Sequence, residues 1–190
     1  MQSGSMLEEL PLISSKRLFL RMATQEDIPE VVRFYTENRV YLTPFYPLWY
    51  EEFFTQEYWQ NQIQIDVYEF FNDKSLKLFL FPQSNSRRII GTINFRNFLR
   101  GAAQYCTVGY CLAEEEQGKG YMTEALKAAT DYVFQELNMH RVMANYMPHN
   151  QRSGNLLKKL GFVVEGYARD YLMINGKWED HILTSLIRNF

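Results

Sequence analysis

The chain has 190 residues, with 20 Lys and Arg against 22 Asp and Glu, a formal net charge of −2. That length fits one domain, and 46% apolar with 22% charged residues is the balance of a globular chain, which excludes a wholly disordered one. A charge this close to zero gives no global attraction to DNA or RNA, and no run of about 20 apolar residues is present to span a membrane. The N-terminal Met1–Met6 stretch has neither the basic nor the apolar region of a secretory signal. Residues 1–11 are expected to be a flexible tail, residues 12–190 one domain, and the location cytoplasmic. Two cysteines, Cys106 and Cys111, cannot build a disulfide framework. Five residues apart in a strand-like segment, they should face opposite sides of a sheet. No Cys/His cluster with metal-ligand spacing accompanies them, so no metal is expected.

Leu18 to Met22 predicts a first strand. Thr24 reads as a helix N-cap with Glu26 and Asp27 in the first turn, followed by Ile28, Val31, Val32 and Tyr35 at helical spacing. Pro44 and Pro47 make Tyr41–Tyr50 an expected irregular loop, rich in aromatics that either line a peptide groove or pack in the core. Glu51 to Asn72 predicts a second helical region. Leu76–Phe81, Ile89–Phe95 and Tyr105–Leu112 predict a three-strand meander. A Gly-rich turn at Gln117–Gly120 leads into a helix with Met122, Ala125, Leu126, Ala129, Val133 and Leu137 on one face. Arg141–Met147 predicts a strand. Asn150 caps a short helix that closes at Gly161. Phe162–Glu165 and Ile182–Ile187 predict two last strands around a turn at Asn175–Gly176. The order β-α-α-βββ-α-β-α-ββ is that of an α/β fold, a mixed sheet between helices in three layers.

A Gly-rich turn between a strand and a helix can gather backbone N–H groups into one concavity at a positive helix end, a seat for phosphates. Lys119 adds a further charge. A Walker A loop is excluded, because Gly120 follows Lys119 where Ser or Thr is required. A dinucleotide fingerprint fails at Thr123, which occupies the third Gly position. The stretch Gln117-Gly118-Lys119-Gly120-Tyr121-Met122 instead resembles the Q/R-x-x-G-x-G/A acyl-CoA loop of the GNAT family of N-acetyltransferases, with Met122 departing at the last position. Asn150-Gln151-Arg152-Ser153 and Leu160-Gly161-Phe162 resemble further signatures of that family. The segments His140–Asn150, Glu165–Leu172 and Gly176–His181, together with Glu37-Asn38-Arg39 and Phe45, are similar to RimJ/RimL-type ribosomal-protein-alanine N-acetyltransferases, and to the RimJ type above all.

The resemblance implies a three-layer GNAT fold and direct transfer of acetyl from acetyl-CoA to the N-terminal alanine of a ribosomal protein, with no metal. It implies that the loop amides from Gly118 through Lys119, Gly120 and Tyr121 to Met122, behind Gln117, take the pyrophosphate. The backbone of Tyr110, Cys111 and Leu112 would run beside the pantetheine and donate to the thioester oxygen. Asn150 would cap its helix and touch CoA. Ser153 would hydrogen-bond the CoA sulfur and assist its departure, or else only bond the helix start. The tyrosine that does this work in another branch of the family is replaced here by Leu157, and the glutamate base that the resemblance implies for one related branch falls at Leu172. The base is therefore open: Glu114–Glu116 read as a solvated turn, Tyr146, His149 and Asp170 have no motif, and His140, His149 and His181 read as structural or surface residues.

A strong base is not required for an α-amine. Its ordinary pKa of about 7.7–8.0 leaves roughly a tenth uncharged near neutral pH, against well under a thousandth of a lysine at about 10.4. Two alternatives stand beside the N-terminal acceptor: a small amine, amino acid or antibiotic, and a CoA-binding module without turnover. Arg152, Lys158, Lys159, Arg169 and Lys177 are either a ribosome contact or solvated side chains.

Overall fold

A computed structural model describes residues 9–188. Most of the expected N-terminal tail lies outside the described residues. The strands are β1 (Leu12–Ser14), β2 (Leu18–Arg21), β3 (Leu76–Pro82), β4 (Gly91–Leu99), β5 (Tyr105–Leu112), β6 (Arg141–Tyr146), β7 (Val163–Ile174) and β8 (Lys177–Ile187). The helices are α1 (Ile28–Glu37), α2 (Arg39–Leu42), α3 (Gln56–Phe71), α4 (Tyr121–Gln135) and α5 (Gln151–Lys159). One sheet runs in the order β1-β2-β3-β4-β5-β6-β8-β7. Every neighbour pair is antiparallel except β5 and β6.

Period-2 alternation builds the layers. On β3, Leu76, Leu78 and Leu80 point into one core with Met122, Ala125, Leu126, Ala129 and Val133 of α4. Phe79 and Phe81 point into the other, with Val31 and Phe34 of α1 and Trp59 and Ile63 of α3. The two cysteines follow the same rule: Cys106 joins the α4 core and Cys111 the α1–α3 core, as an odd spacing on a strand requires.

Several elements differ from the sequence reading, among them β8, which starts at Lys177 rather than Ile182, and β4, which runs Gly91–Leu99 rather than Ile89–Phe95. β1 was not anticipated. Part of the Tyr41–Tyr50 stretch is helical: α2 ends at Leu42 and a 3-10 turn covers Thr43–Phe45. Pro44 fits there because the first turn of a helix needs no N–H from it. The region from Glu51 is broken at Thr55, whose side chain accepts from the Tyr58 N–H and starts α3 afresh. β7 has 12 residues rather than four. Among the aromatics, Tyr35, Tyr46, Trp49, Phe53, Tyr58 and Trp59 form a continuous cluster of ring contacts, mostly edge-on.

What positions the site is a parting of two strands. β5 pairs with β6 only through Tyr105, Cys106 and Thr107. From Val108 onward β5 stays with β4 while β6 stays with β8. The two strands diverge, and the wedge between them is where a ligand can enter the sheet.

Candidate active site

Two cavities meet at this wedge. The first, about 370 Å³, is lined by Tyr110, Cys111, Leu112, Gln117, Met122, Asn150 and Ser153, with Tyr41 and Phe45 over it. The second, about 480 Å³, lies toward the α1–α3 face and is lined by groups including Lys77, Asn94, Arg96, Asn145, Tyr171 and His181. Tyr46, Tyr110, Asn150 and Ser153 border both. The two cavities thus adjoin at one small set of polar groups.

At that junction the Tyr110 hydroxyl lies 2.7 Å from the Ser153 hydroxyl. Burial pushes the Tyr110 phenol up to about 12, although its bond to Ser153 pulls the other way. Tyr110 is therefore a neutral O–H at any ordinary working pH, able to donate to Ser153. Ser153 is held by its backbone: its N–H donates to the Asn150 side-chain oxygen at 3.2 Å, which caps α5. Such a cap contributes about 1 kcal/mol. The Ser153 hydroxyl is thus not consumed in starting the helix.

The loop after β5 is shaped by Gly118 and Gly120, with φ of 74° and 78°. A side chain would be strained at either position. Nothing lies within 4 Å of where a Gly118 Cβ would stand, so the loop's surface is open. The first amides of α4, from Tyr121 to Thr123, have no partner within the helix and carry its positive end. The Gln117 side chain is turned inward, donating to the Leu112 and Ala113 carbonyls at 3.0 and 3.4 Å, and so ties the loop to the strand. Lys119 is spoken for by Glu116 at 2.9 Å rather than free for a phosphate.

Arg17 is a residue that sequence reasoning missed. Its guanidinium donates to the Lys119 carbonyl at 3.0 Å, lies 4.4 Å from the Tyr121 ring centroid and is anchored by Glu124 at 2.7 Å. It brings a partly exposed cation to the open loop from 102 residues away. The Glu114–Glu116 run lines neither cavity. Glu114 donates its N–H to Asn38, and Glu116 is buried against Lys119. His149 lines the first cavity and Tyr146 the second, while Asp170 borders neither.

An open wedge, a loop of unpaired amides at a positive helix end and a paired hydroxyl donor at its inner end fit a long, anionic thioester ligand. Residues 17–163 match the Acetyltransferase (GNAT) domain, and the chain belongs to the GNAT family. It is an N-acetyltransferase, and acetyl-CoA is its acetyl donor. The chain is 42% identical over 174 residues to the [Ribosomal protein uS5]-alanine N-acetyltransferase of Escherichia coli strain K12, spanning 92% of this chain and 89% of that one. It superposes on the ribosomal-protein-S5-alanine acetyltransferase of Vibrio fischeri with a TM-score of 0.89 at 35% identity, covering 94% and 97% of the two chains. Mycobacterium smegmatis RimJ, solved with a CoA-disulfide, shares the fold at a TM-score of 0.86 and 23% identity over 98% of this chain and 90% of that one.

Proposed function

We propose that this protein transfers acetyl from acetyl-CoA to the N-terminal α-amine of alanine on ribosomal protein uS5, in the cytoplasm, and that residues 12–190 act as one catalytic domain. The observation that carries the choice of acceptor is the 42% identity, across nearly the full length of both chains, with an enzyme of that name. The wedge supports the chemistry, since two adjoining cavities, one for the donor and one for the acceptor, meet at Tyr110 and Ser153.

The open loop from Gly118 to Met122 holds the pyrophosphate on its amides, and Arg17 supplies a cation beside it. The backbone of Tyr110, Cys111 and Leu112, unpaired by any strand on the wedge side, lies along the pantetheine. An N–H aimed from that edge stabilises the charge that grows on the thioester oxygen, and it is already in place before reaction. The Ser153 hydroxyl protonates the departing sulfur and draws on Tyr110 for its own proton. Leu157 leaves this task to Ser153, because β5 brings a tyrosine to the point that α5 does not serve.

The acceptor assignment is tested by kcat/KM on a free Ala N-terminal peptide, an N-blocked lysine peptide and a panel of small amines. Preference for the α-amine is expected. Turnover confined to lysine side chains or to small amines would discard the protein N-terminus while keeping fold and donor.

A further inference from the structure

The acceptor-side cavity contains a group fitted to take a proton. His181 on β8 is 4% exposed, and it lines this cavity. Its Nδ1 lies 2.9 Å from the Glu179 carbonyl oxygen. A carbonyl only accepts, so Nδ1 carries the hydrogen, and the neutral tautomer compatible with this contact has its lone pair on Nε2. No described residue donates to Nε2. The Tyr171 ring packs against the imidazole at 5.6 Å between centroids, fixing its plane.

A second unpartnered acceptor lines the same cavity. The Asn145 side-chain oxygen is buried with no hydrogen-bond partner, while its amide nitrogen donates to the Tyr171 hydroxyl at 3.3 Å. In this orientation Oδ1 is the end of the amide left without a partner. Asn145 pairs with Leu183, two residues from His181, so Asn145 and His181 share a sheet face. A buried acceptor without a partner is costly unless a ligand donor satisfies it. A lone pair and a bare carbonyl oxygen lining one cavity suit a group with several N–H bonds.

We propose that Asn145 and His181 form the seat of the acceptor amine, with Asn145 Oδ1 accepting one N–H and His181 Nε2 acting as the general base. This rests on the reading that the cavity admits an amine. The amine enters as an ammonium, and Nε2 takes one proton and releases it to water. The neutral nitrogen then forms the C–N bond as the C–S bond breaks. Nitrogen sheds a second proton, which restores the Ser153–Tyr110 pair after Ser153 has protonated sulfur. One proton ends on CoA and one in solvent. No carboxylate lines this cavity. The titratable groups around the cavity are Tyr35 from α1, Tyr46 before Pro47, Lys77 from β3, Arg96 from β4, Tyr110 from β5, Tyr146 from β6 and Tyr171 from β7, with Glu179 and Asp180 flanking His181 on β8. Of these Lys77 is engaged by Asp66 at 3.9 Å and by the Trp59 ring at 4.4 Å.

The test uses His181→Asn, which keeps a donor for the Glu179 carbonyl and has no base, and His181→Gln as a second variant should the first fold poorly. Each is assayed on whichever amine the parent acetylates, so a wrong acceptor identity and a wrong base give different results. At pH 7, kcat/KM should fall about 100-fold or more, as for loss of a general base. CoA affinity should be unchanged, and the gap should narrow toward pH 9 as the α-amine (about 7.7–8.0) loses its proton unaided. Asn145→Ala should raise KM for the amine with CoA affinity unchanged. A His181→Asn enzyme with parental activity, or a deficit that is the same at pH 7 and pH 9, would overturn the assignment.

Discussion

Replacing Ser153 by Ala isolates the leaving-group step. Only the Ser153 N–H, not its hydroxyl, meets the Asn150 cap, so the start of α5 survives and the melting temperature should barely move. A positioned proton donor contributes about 10²–10⁴-fold. The low end applies here, because a thiol's ordinary pKa of about 8.5 lets sulfur leave partly unassisted. The expected loss in kcat is about 100-fold, or about 2.7 kcal/mol of barrier. Tyr110→Phe removes only the 2.7 Å bond behind Ser153. A net hydrogen bond is worth about 0.5–1.5 kcal/mol, which converts to a loss of about 2–12-fold. Because Tyr110 acts through Ser153, the double variant should be no slower than Ser153→Ala alone. Thiol release measured at saturating acetyl-CoA, with CoA affinity from calorimetry, reads these terms separately. Parental kcat in Ser153→Ala, or losses that multiply in the double variant, would refute a relay from Tyr110 to Ser153.

Other regions give independent expectations. Arg17→Met should weaken CoA binding several-fold in titration calorimetry while kcat stays near the parent, because Arg17 touches the loop and not the wedge. Lys77→Met should destabilise by about 3–5 kcal/mol in urea unfolding, since it strands the buried Asp66 carboxylate. Asp66→Leu combined with Lys77→Met should recover most of that loss. For Asp27, burial works to raise the carboxyl, but the Arg21 guanidinium and the Thr24 N–H and hydroxyl outweigh it and hold it below its ordinary value. A carboxyl lowered in the folded state stabilises above its unfolded pKa, about 3.9, and ceases to do so as pH falls through the folded value. Asp27→Asn should therefore melt below the parent at pH 6, with the difference vanishing toward pH 2.

The parts of the fold that were legible are those where one face of an element is buried. β5 carries its full span in the sequence because Tyr105–Leu112 alternates between two cores. α4 does so because its small apolar residues recur at helical spacing. β7 was cut short because its residues are mostly exposed and its register slips between Val164 and Gly166 and again between Ala168 and Leu172. Two such slips erase the period-2 signal. The open glycine turn before α4 and the position of Ser153 at the start of α5 are legible through motif order. The Tyr110 hydroxyl was not, since 43 residues separate it from Ser153 and only the parting of β5 from β6 brings them together. His181 shows the same limit. A single histidine has no spacing to mark it, and its character comes from a carbonyl two residues away and from Asn145 on the neighbouring strand.

The central claim is that one α-amine, on uS5, is the acceptor. Intact-mass spectrometry of the unacetylated small-subunit proteins, incubated with this chain and acetyl-CoA, tests it directly. The account predicts a single added acetyl on uS5, mapped to its N-terminal alanine, with the other proteins unchanged. An unmodified uS5 beside acetylated lysines or other N-termini would contradict it.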